Sequence, residues 1–190
     1  MTNLQTYSTS GITGDINDET TRAYLSHQQG RGGFRSIVQA AQSGGQVSST
    51  IQTNMSHNFN RASAQQTIGT RTLTPATFLQ YWSLKIAAVK RTGGTGIPPA
   101  INSALQTVSQ ETGVSLATLQ TICKIESYGC TNPNAKNPGG YAGLFQLSNK
   151  VFQKSSGVWE EYKKPVATNI FDPYHNAYAA ARYVKYNLAP

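Results

Sequence analysis

Between Thr20 and Gln110 the chain has no aspartate or glutamate, while Arg22, Arg31, Arg35, Arg61, Arg71, Lys85, Lys90 and Arg91 fall in that stretch. The whole 190-residue chain carries a formal net charge of +8. A surface of this kind favours anionic partners in a salt-dependent way, and by itself it does not choose between nucleic acid, an acidic cell-wall polymer and an acidic neighbouring subunit. Long apolar runs are missing too. No stretch approaches the length of a membrane-spanning helix. The amino terminus, Met1 to Tyr7, has neither a basic start nor an apolar segment, so a secretory signal is not expected. Cysteine is confined to Cys123 and Cys130, with no histidine close by in sequence. Two such ligands do not make a closed zinc site, so no metal and no cofactor is expected. Seven residues apart in an unbroken helix, their Cα atoms would stand about 10 Å from each other, too far for a disulfide. A chain that turns at Gly129 brings them together; two buried free thiols are the other reading, and both stay open here.

Large aliphatic residues are scarce from residue 1 to about 72, where Ser, Thr, Gln, Asn and Gly dominate. Such a composition struggles to bury enough surface to offset the entropy of ordering. We therefore expect residues 1–73 to form an irregular, polar, basic arm ordered by a partner. Short helices near Gly33–Ser43 and Val47–Phe59, or edge strands, are its candidate elements. Gly30-Arg31-Gly32-Gly33-Phe34-Arg35 is similar to an RNA-binding RGG segment in one copy only, so a flexible loop is the expectation and no specific nucleic-acid partner is assigned. A docking or packing helix is expected over residues 74–91, with Thr74 as cap, Pro75 at the first helical position, and Phe78, Leu79, Trp82, Ile86 and Val89 on its apolar face. The glycines and prolines of residues 92–98 mark a linker.

From Ala100 the apolar spacing is regularly helical. Ile101, Ala104, Leu105 and Val108 share one face of a helix that Gly113 ends, and Ser115 caps the next. On that second helix Leu116, Leu119, Ile122 and Cys123 mark a stripe, and Glu126 falls on it. A carboxylate there is partly desolvated and lies at the negative end of the helix dipole. Both effects should raise its pKa, as a general acid working near neutral pH requires. A helix-end glutamate reaching back to solvent is the alternative reading of the same position. A last helix is expected from Pro173 to about Leu188, with Asp172 as its cap.

Six stretches in order carry a resemblance to one family. Gly113-Val114-Ser115-Leu116 leads into Ile125-Glu126-Ser127; Asn134-Ala135 follows in a loop; Gly143-Leu144-Phe145-Gln146 comes next; Phe171-Asp172-Pro173-Tyr174-His175-Asn176 and Ala181-Arg182-Tyr183-Val184 complete the set. Over about residues 99–188 the chain resembles the lysozyme-like lytic transglycosylases of glycoside hydrolase family 23. The resemblance implies a mainly α fold, with a lysozyme-like helical domain over residues 99–190 behind the polar arm. It also implies cleavage of the β-1,4 bond between N-acetylmuramic acid and N-acetylglucosamine in peptidoglycan. Glu126 would first donate its proton to the glycosidic oxygen and then take one from the muramoyl 6-hydroxyl as a 1,6-anhydro ring closes. One enzymic carboxylate suffices, because the substrate's acetamido group can stabilise the positive charge. Glu160 and Glu161 read as a solvated pair beside Lys163 and Lys164. Ser127, Gln146, Phe145 and Gly143 are implied near the substrate, and Tyr141 and Asn176 are added as candidates beside them. The family's usual Ala-Tyr-Asn-Ala-Gly helix does not follow before Pro190, so Tyr141, Tyr178 and Tyr183 are candidates to take the place of its tyrosine. A hydrolytic muramidase or endolysin, and a non-catalytic component of a tail or secretion assembly, are the competing functions. With no secretory signal, we expect the chain to reach the periplasm or cell wall as part of a phage virion, in the tail or baseplate, through contacts of residues 1–91 with virion proteins.

Overall fold

The computed structural model describes residues 7, 14–156 and 169–188. Glu160 and Glu161, read above as a solvated pair, lie outside the described residues. Among the described residues the fold is almost wholly helical, and the chain divides into two compact units, Met1–Ala88 with Asn187–Pro190, and Val89–Tyr186. No helix of the described residues is long and apolar enough to cross a membrane.

The first unit is not irregular beyond its opening turns. It holds α1 (Glu19–Ser43), α2 (Ser49–His57), α3 (Arg61–Ile68) and most of α4 (Pro75–Lys90). The polar residues that make this stretch look unstructured are spent at helix ends. Asp18 accepts from the Thr21 N–H at 3.0 Å, Ser48 from Ile51 at 3.4 Å, Asn60 from Ser63 at 2.9 Å and Thr74 from Thr77 at 3.1 Å. Gly44 and Gly69 take the left-handed conformation that closes α1 and α3. The Gly30–Arg35 segment, expected as a loop, is helical; α1 kinks at Gly30, whose backbone leaves the helical region.

Scattered apolar residues are then buried, and two of them, Tyr24 and Phe59, meet α4. Tyr24, Leu25, Phe34, Ile37, Val38, Met55 and Phe59 are buried, as are Phe78, Leu79, Tyr81, Trp82 and Ile86 of α4. The Trp82 ring lies 4.9 Å from Tyr24 and its indole N–H donates to the Asn58 carbonyl at 3.1 Å; Tyr81 meets Phe59 edge-on at 5.3 Å. Each large side chain fully buried this way contributes about 1.5–3 kcal/mol. Asn17 pins Tyr7 through paired bonds to its backbone N–H and carbonyl, and the buried Arg22 guanidinium lies 5.6 Å from the Tyr7 ring centre. Burial pushes the Arg22 pKa down, and the nearby Tyr7 works weakly against that.

The second unit opens with turns over residues 91–96 and continues through α5 (Pro99–Thr112), α6 (Leu116–Glu126), a two-stranded hairpin of β1 (Tyr141–Ala142) and β2 (Leu147–Ser148), α7 (Asn149–Ser156) and α8 (Pro173–Leu188). Ile101, Leu105 and Val108 of α5 are buried, with Leu119, Ile122 and Cys123 of α6. A bond of 2.8 Å from Gln120 to Asn102 ties α6 to α5. Two further bonds bring α8 to the carboxy end of α5: the Tyr174 hydroxyl donates to Glu111 at 2.5 Å, and the Lys185 ammonium to the Thr112 carbonyl at 2.9 Å. The second also complements the negative end of the helix.

Candidate active site

The candidate site begins where α6 ends. Ser115 caps the start of the helix by accepting from the Thr118 N–H at 3.2 Å, and eleven residues later the helix ends on Glu126. Leu119, Ile122 and Cys123 on the same stripe are fully buried, and Glu126 itself is half-buried. It thus stands at the border between core and surface, as its spacing implies. On the neighbouring side of the helix, the Lys124 ammonium donates to the Thr92 hydroxyl at 2.7 Å, and desolvation lowers its pKa.

Beyond Glu126 the backbone turns hard. Cys123 and Cys130 form a disulfide with their Cα atoms 5.0 Å apart, half the span of an unbroken helix. The loop between them contains Glu126. Three successive residues, Tyr128, Gly129 and Cys130, take positive φ of 51°, 88° and 65°. That run is what reverses the chain. Ser127 is fully buried, and its hydroxyl donates to the Cys123 carbonyl at 2.9 Å. Its side chain therefore fastens the helix end from within.

Ala135 and Asn176, from two of the other motifs, meet the hairpin. Gly143, Leu144, Phe145 and Gln146 form its turn. The Gly143 N–H donates to the Ala135 carbonyl at 2.9 Å, and the Gln146 side-chain amide donates to the same carbonyl at 3.2 Å and to the Gly143 carbonyl at 2.8 Å. In this way Asn134-Ala135 and the hairpin turn, separate in sequence, become one piece. Asn176, fully buried near the start of α8, fastens the other side. Its carbonyl oxygen accepts from the Phe145 N–H at 2.8 Å, and its amide donates to the carbonyls of Ile170 at 2.9 Å and Ala142 at 3.4 Å. Gly143 has to be glycine: its φ is 79°, and a Cβ there would run into the Asn176 amide and come within 2.5 Å of the Ile170 carbonyl oxygen. The Lys136 ammonium over the Phe171 ring at 4.8 Å holds the loop to the segment before α8.

These placements sort the candidates. Glu126 is half-buried, Tyr141 is 47 % exposed on β1, and Gln146 is half-buried. Ser127, Gly143, Phe145 and Asn176 are buried, and the polar bonds described for Ser127 and Asn176 run to backbone groups. Asn176, a candidate for the substrate's neighbourhood, ties the hairpin to α8, and Phe145, implied near the substrate, is fully buried. Of the candidate tyrosines, Tyr178 is buried with its ring 5.9 Å from Tyr174, and Tyr183 is half-buried on α8. Tyr128 escaped sequence reasoning altogether, although its position just before Gly129 at a helix end is a usable signal. Asp172 caps α8 by accepting from the His175 N–H at 2.8 Å, as expected, and Glu111 accepts from Tyr174. Among the described residues no group of three or more His, Cys, Asp or Glu side chains could hold a metal ion.

No curated protein and no solved structure matches the chain. A family model described as Transglycosylase SLT domain matches residues 103–189. That range runs from within α5 through α6, the hairpin and α8. It takes in Glu126, the disulfide and every motif residue from Ser115 to Val184. The carboxy-terminal part of the chain is accordingly a transglycosylase SLT domain, a lyase-type enzyme domain that cleaves peptidoglycan.

Proposed function

We propose that this domain cuts the β-1,4 bond between N-acetylmuramic acid and N-acetylglucosamine, with Glu126 as its one catalytic carboxylate and a 1,6-anhydro sugar as product. Glu126 gives its proton to the glycosidic oxygen as the C1–O bond breaks. It then takes the proton of the muramoyl 6-hydroxyl while that oxygen bonds to C1, so the carboxyl ends as it began. The observation that carries this reading is the position of Glu126: half-buried at the end of α6, inside a disulfide-closed loop, within the matched domain. The other described acids of this unit support it. Glu111 is held by Tyr174 and Asp172 caps α8, so each has a structural task away from α6.

A Glu126→Gln variant, incubated with purified peptidoglycan, should release fragments about 10²–10⁴-fold more slowly than wild type. Fragment masses decide the chemistry, because the anhydro product is lighter than the hydrolytic one by a water. Products carrying that water would identify a hydrolytic muramidase, and an unchanged rate in the variant would remove Glu126 from the chemistry.

The setting belongs to the same proposal. We read the chain as a component of a phage tail or virion that opens the wall locally, with the basic first unit as its attachment to other virion proteins. A disulfide beside the carboxylate supports work outside a reducing cytoplasm. Mass spectrometry of purified virions should find the chain as a stoichiometric component; finding it only in lysates would favour an endolysin.

A further inference from the structure

We infer that Tyr128 is a substrate-binding residue whose ring stacks on a sugar of the glycan strand beside the bond that Glu126 cleaves. The inference rests on the reading of Glu126 given above.

The argument starts from how α6 ends. Ser127 is the C-cap, Tyr128 follows in the left-handed conformation at φ 51°, and the Gly129 N–H reaches back to the Lys124 carbonyl at 3.0 Å. This is the Schellman pattern, in which the left-handed position is ordinarily glycine because a Cβ is disfavoured there. Asparagine is the usual second choice. A tyrosine in that place needs a reason, and the backbone supplies none: α5 ends conventionally on Gly113 at φ 73°.

Packing supplies none either. Tyr128 is 92 % exposed, the most exposed of the large hydrophobic side chains among the described residues, whereas Tyr24, Tyr81 and Tyr178 are buried. A tyrosine that gains its place by burial looks like those three. This one is held out in solvent, on a turn that the disulfide and the Thr131 hydroxyl bond to the Tyr128 carbonyl keep in shape. An unfavourable backbone held in place by its surroundings next to a catalytic group is the pattern of a functional constraint.

The chemistry of the substrate fits the ring. A hexopyranose presents an apolar face of C–H groups and a polar rim, and a phenol offers an apolar face with a hydroxyl at its edge. Two residues past Glu126, on a rigid turn, such a ring can hold one sugar in register while the carboxyl meets the glycosidic oxygen. Its contribution is to binding, which ground state and transition state share, so the effect belongs in KM rather than kcat.

The test uses the full chain and soluble glycan strands freed of their stem peptides, with initial rates measured across substrate concentration. Tyr128→Asn and Tyr128→Gly suit the left-handed backbone but remove the ring; Tyr128→Phe keeps both the strain and the ring. We expect Asn and Gly to raise KM about three- to tenfold with kcat within about twofold, as the loss of one aromatic contact implies. Their unfolding midpoints should equal or exceed that of wild type, and Tyr128→Phe should restore both KM and the wild-type midpoint. A wild-type KM in the Asn and Gly variants overturns the inference, and so does a KM in the Phe variant as high as in Asn. Glu126→Gln, assayed alongside, separates the two claims: if it turns over normally the reading of Glu126 fails, and if it is inactive while Tyr128→Gly binds normally only the tyrosine inference fails.

Discussion

The two units differ in where they keep unfavourable backbone. In the first, the described residues with positive φ are Gly14, Gly30, Gly44 and Gly69, all glycines. In the second, Tyr128, Cys130 and Gln146 join the glycines in that region. Two of these three lie within four residues of Glu126, and the third closes the hairpin turn of the motif loop. Each such residue costs about 1–3 kcal/mol, so it persists only where surrounding bonds hold it. Those bonds are present: a disulfide for Tyr128 and Cys130, and two side-chain hydrogen bonds for Gln146. The first unit is an ordinary packing of helices, whereas the second spends some of its packing on shaping one loop and one turn. The lesson is that unfavourable backbone picks out the candidate site more narrowly than composition or burial does.

The comparison can be broken most forcefully at Gly143. Substitution by alanine there adds left-handed strain to a clash with Asn176 and the Ile170 carbonyl. We expect a loss of about 4 kcal/mol in urea unfolding, with a matching fall in peptidoglycan cleavage. A small effect on both would mean that the hairpin turn is not held against α8 as described.

Next in size is the disulfide. For a loop of this length its removal, by dithiothreitol or in a Cys123→Ser, Cys130→Ser double variant, should cost about 2.5 kcal/mol through greater freedom of the unfolded chain. Because Glu126 lies inside the loop, the cleavage rate should fall at a temperature where the protein is still folded. A reduced protein with full activity would show that the left-handed run keeps its shape unaided, and would weaken the contrast between the units.

The smallest expected effect sharpens the other side. Asn60→Ala removes the cap of α3 in the first unit and should cost about 1 kcal/mol. Cleavage of soluble glycan strands should not change. If it did, the first unit would have a part in catalysis that its relaxed backbone does not suggest.

Much of this was legible in the residues. Helix ends were readable where chemistry is local: Ser115 before Leu116, Gly113 after Thr112, Thr74 before Pro75 and Asp172 before Pro173 stand where the sequence pattern puts them. The same cues were present at Asp18, Ser48 and Asn60 but were hidden by a composition that resembles an unfolded arm, because a polar residue looks alike whether it caps a helix or faces water. Glu126 was readable because its stripe is set by helical period alone.

By itself, then, the sequence determined α5, α6 and α8 of the second unit but not α7, the carboxylate at the end of α6 and the order of motifs around it, since each depends on residues within a few positions of one another. Only the tertiary structure decided that Cys123 and Cys130 pair, that the first unit buries its sparse apolar residues with Tyr24 and Phe59 against α4, that Ser127 and Asn176 are buried ties, and that Tyr128 stands in solvent. The Asn176 tie depends on groups meeting across the 31 residues that separate it from Phe145, and the Trp82 bond to Asn58 on a meeting across 24. Such meetings are settled by packing and by the need of buried polar groups for partners, and no local pattern encodes them.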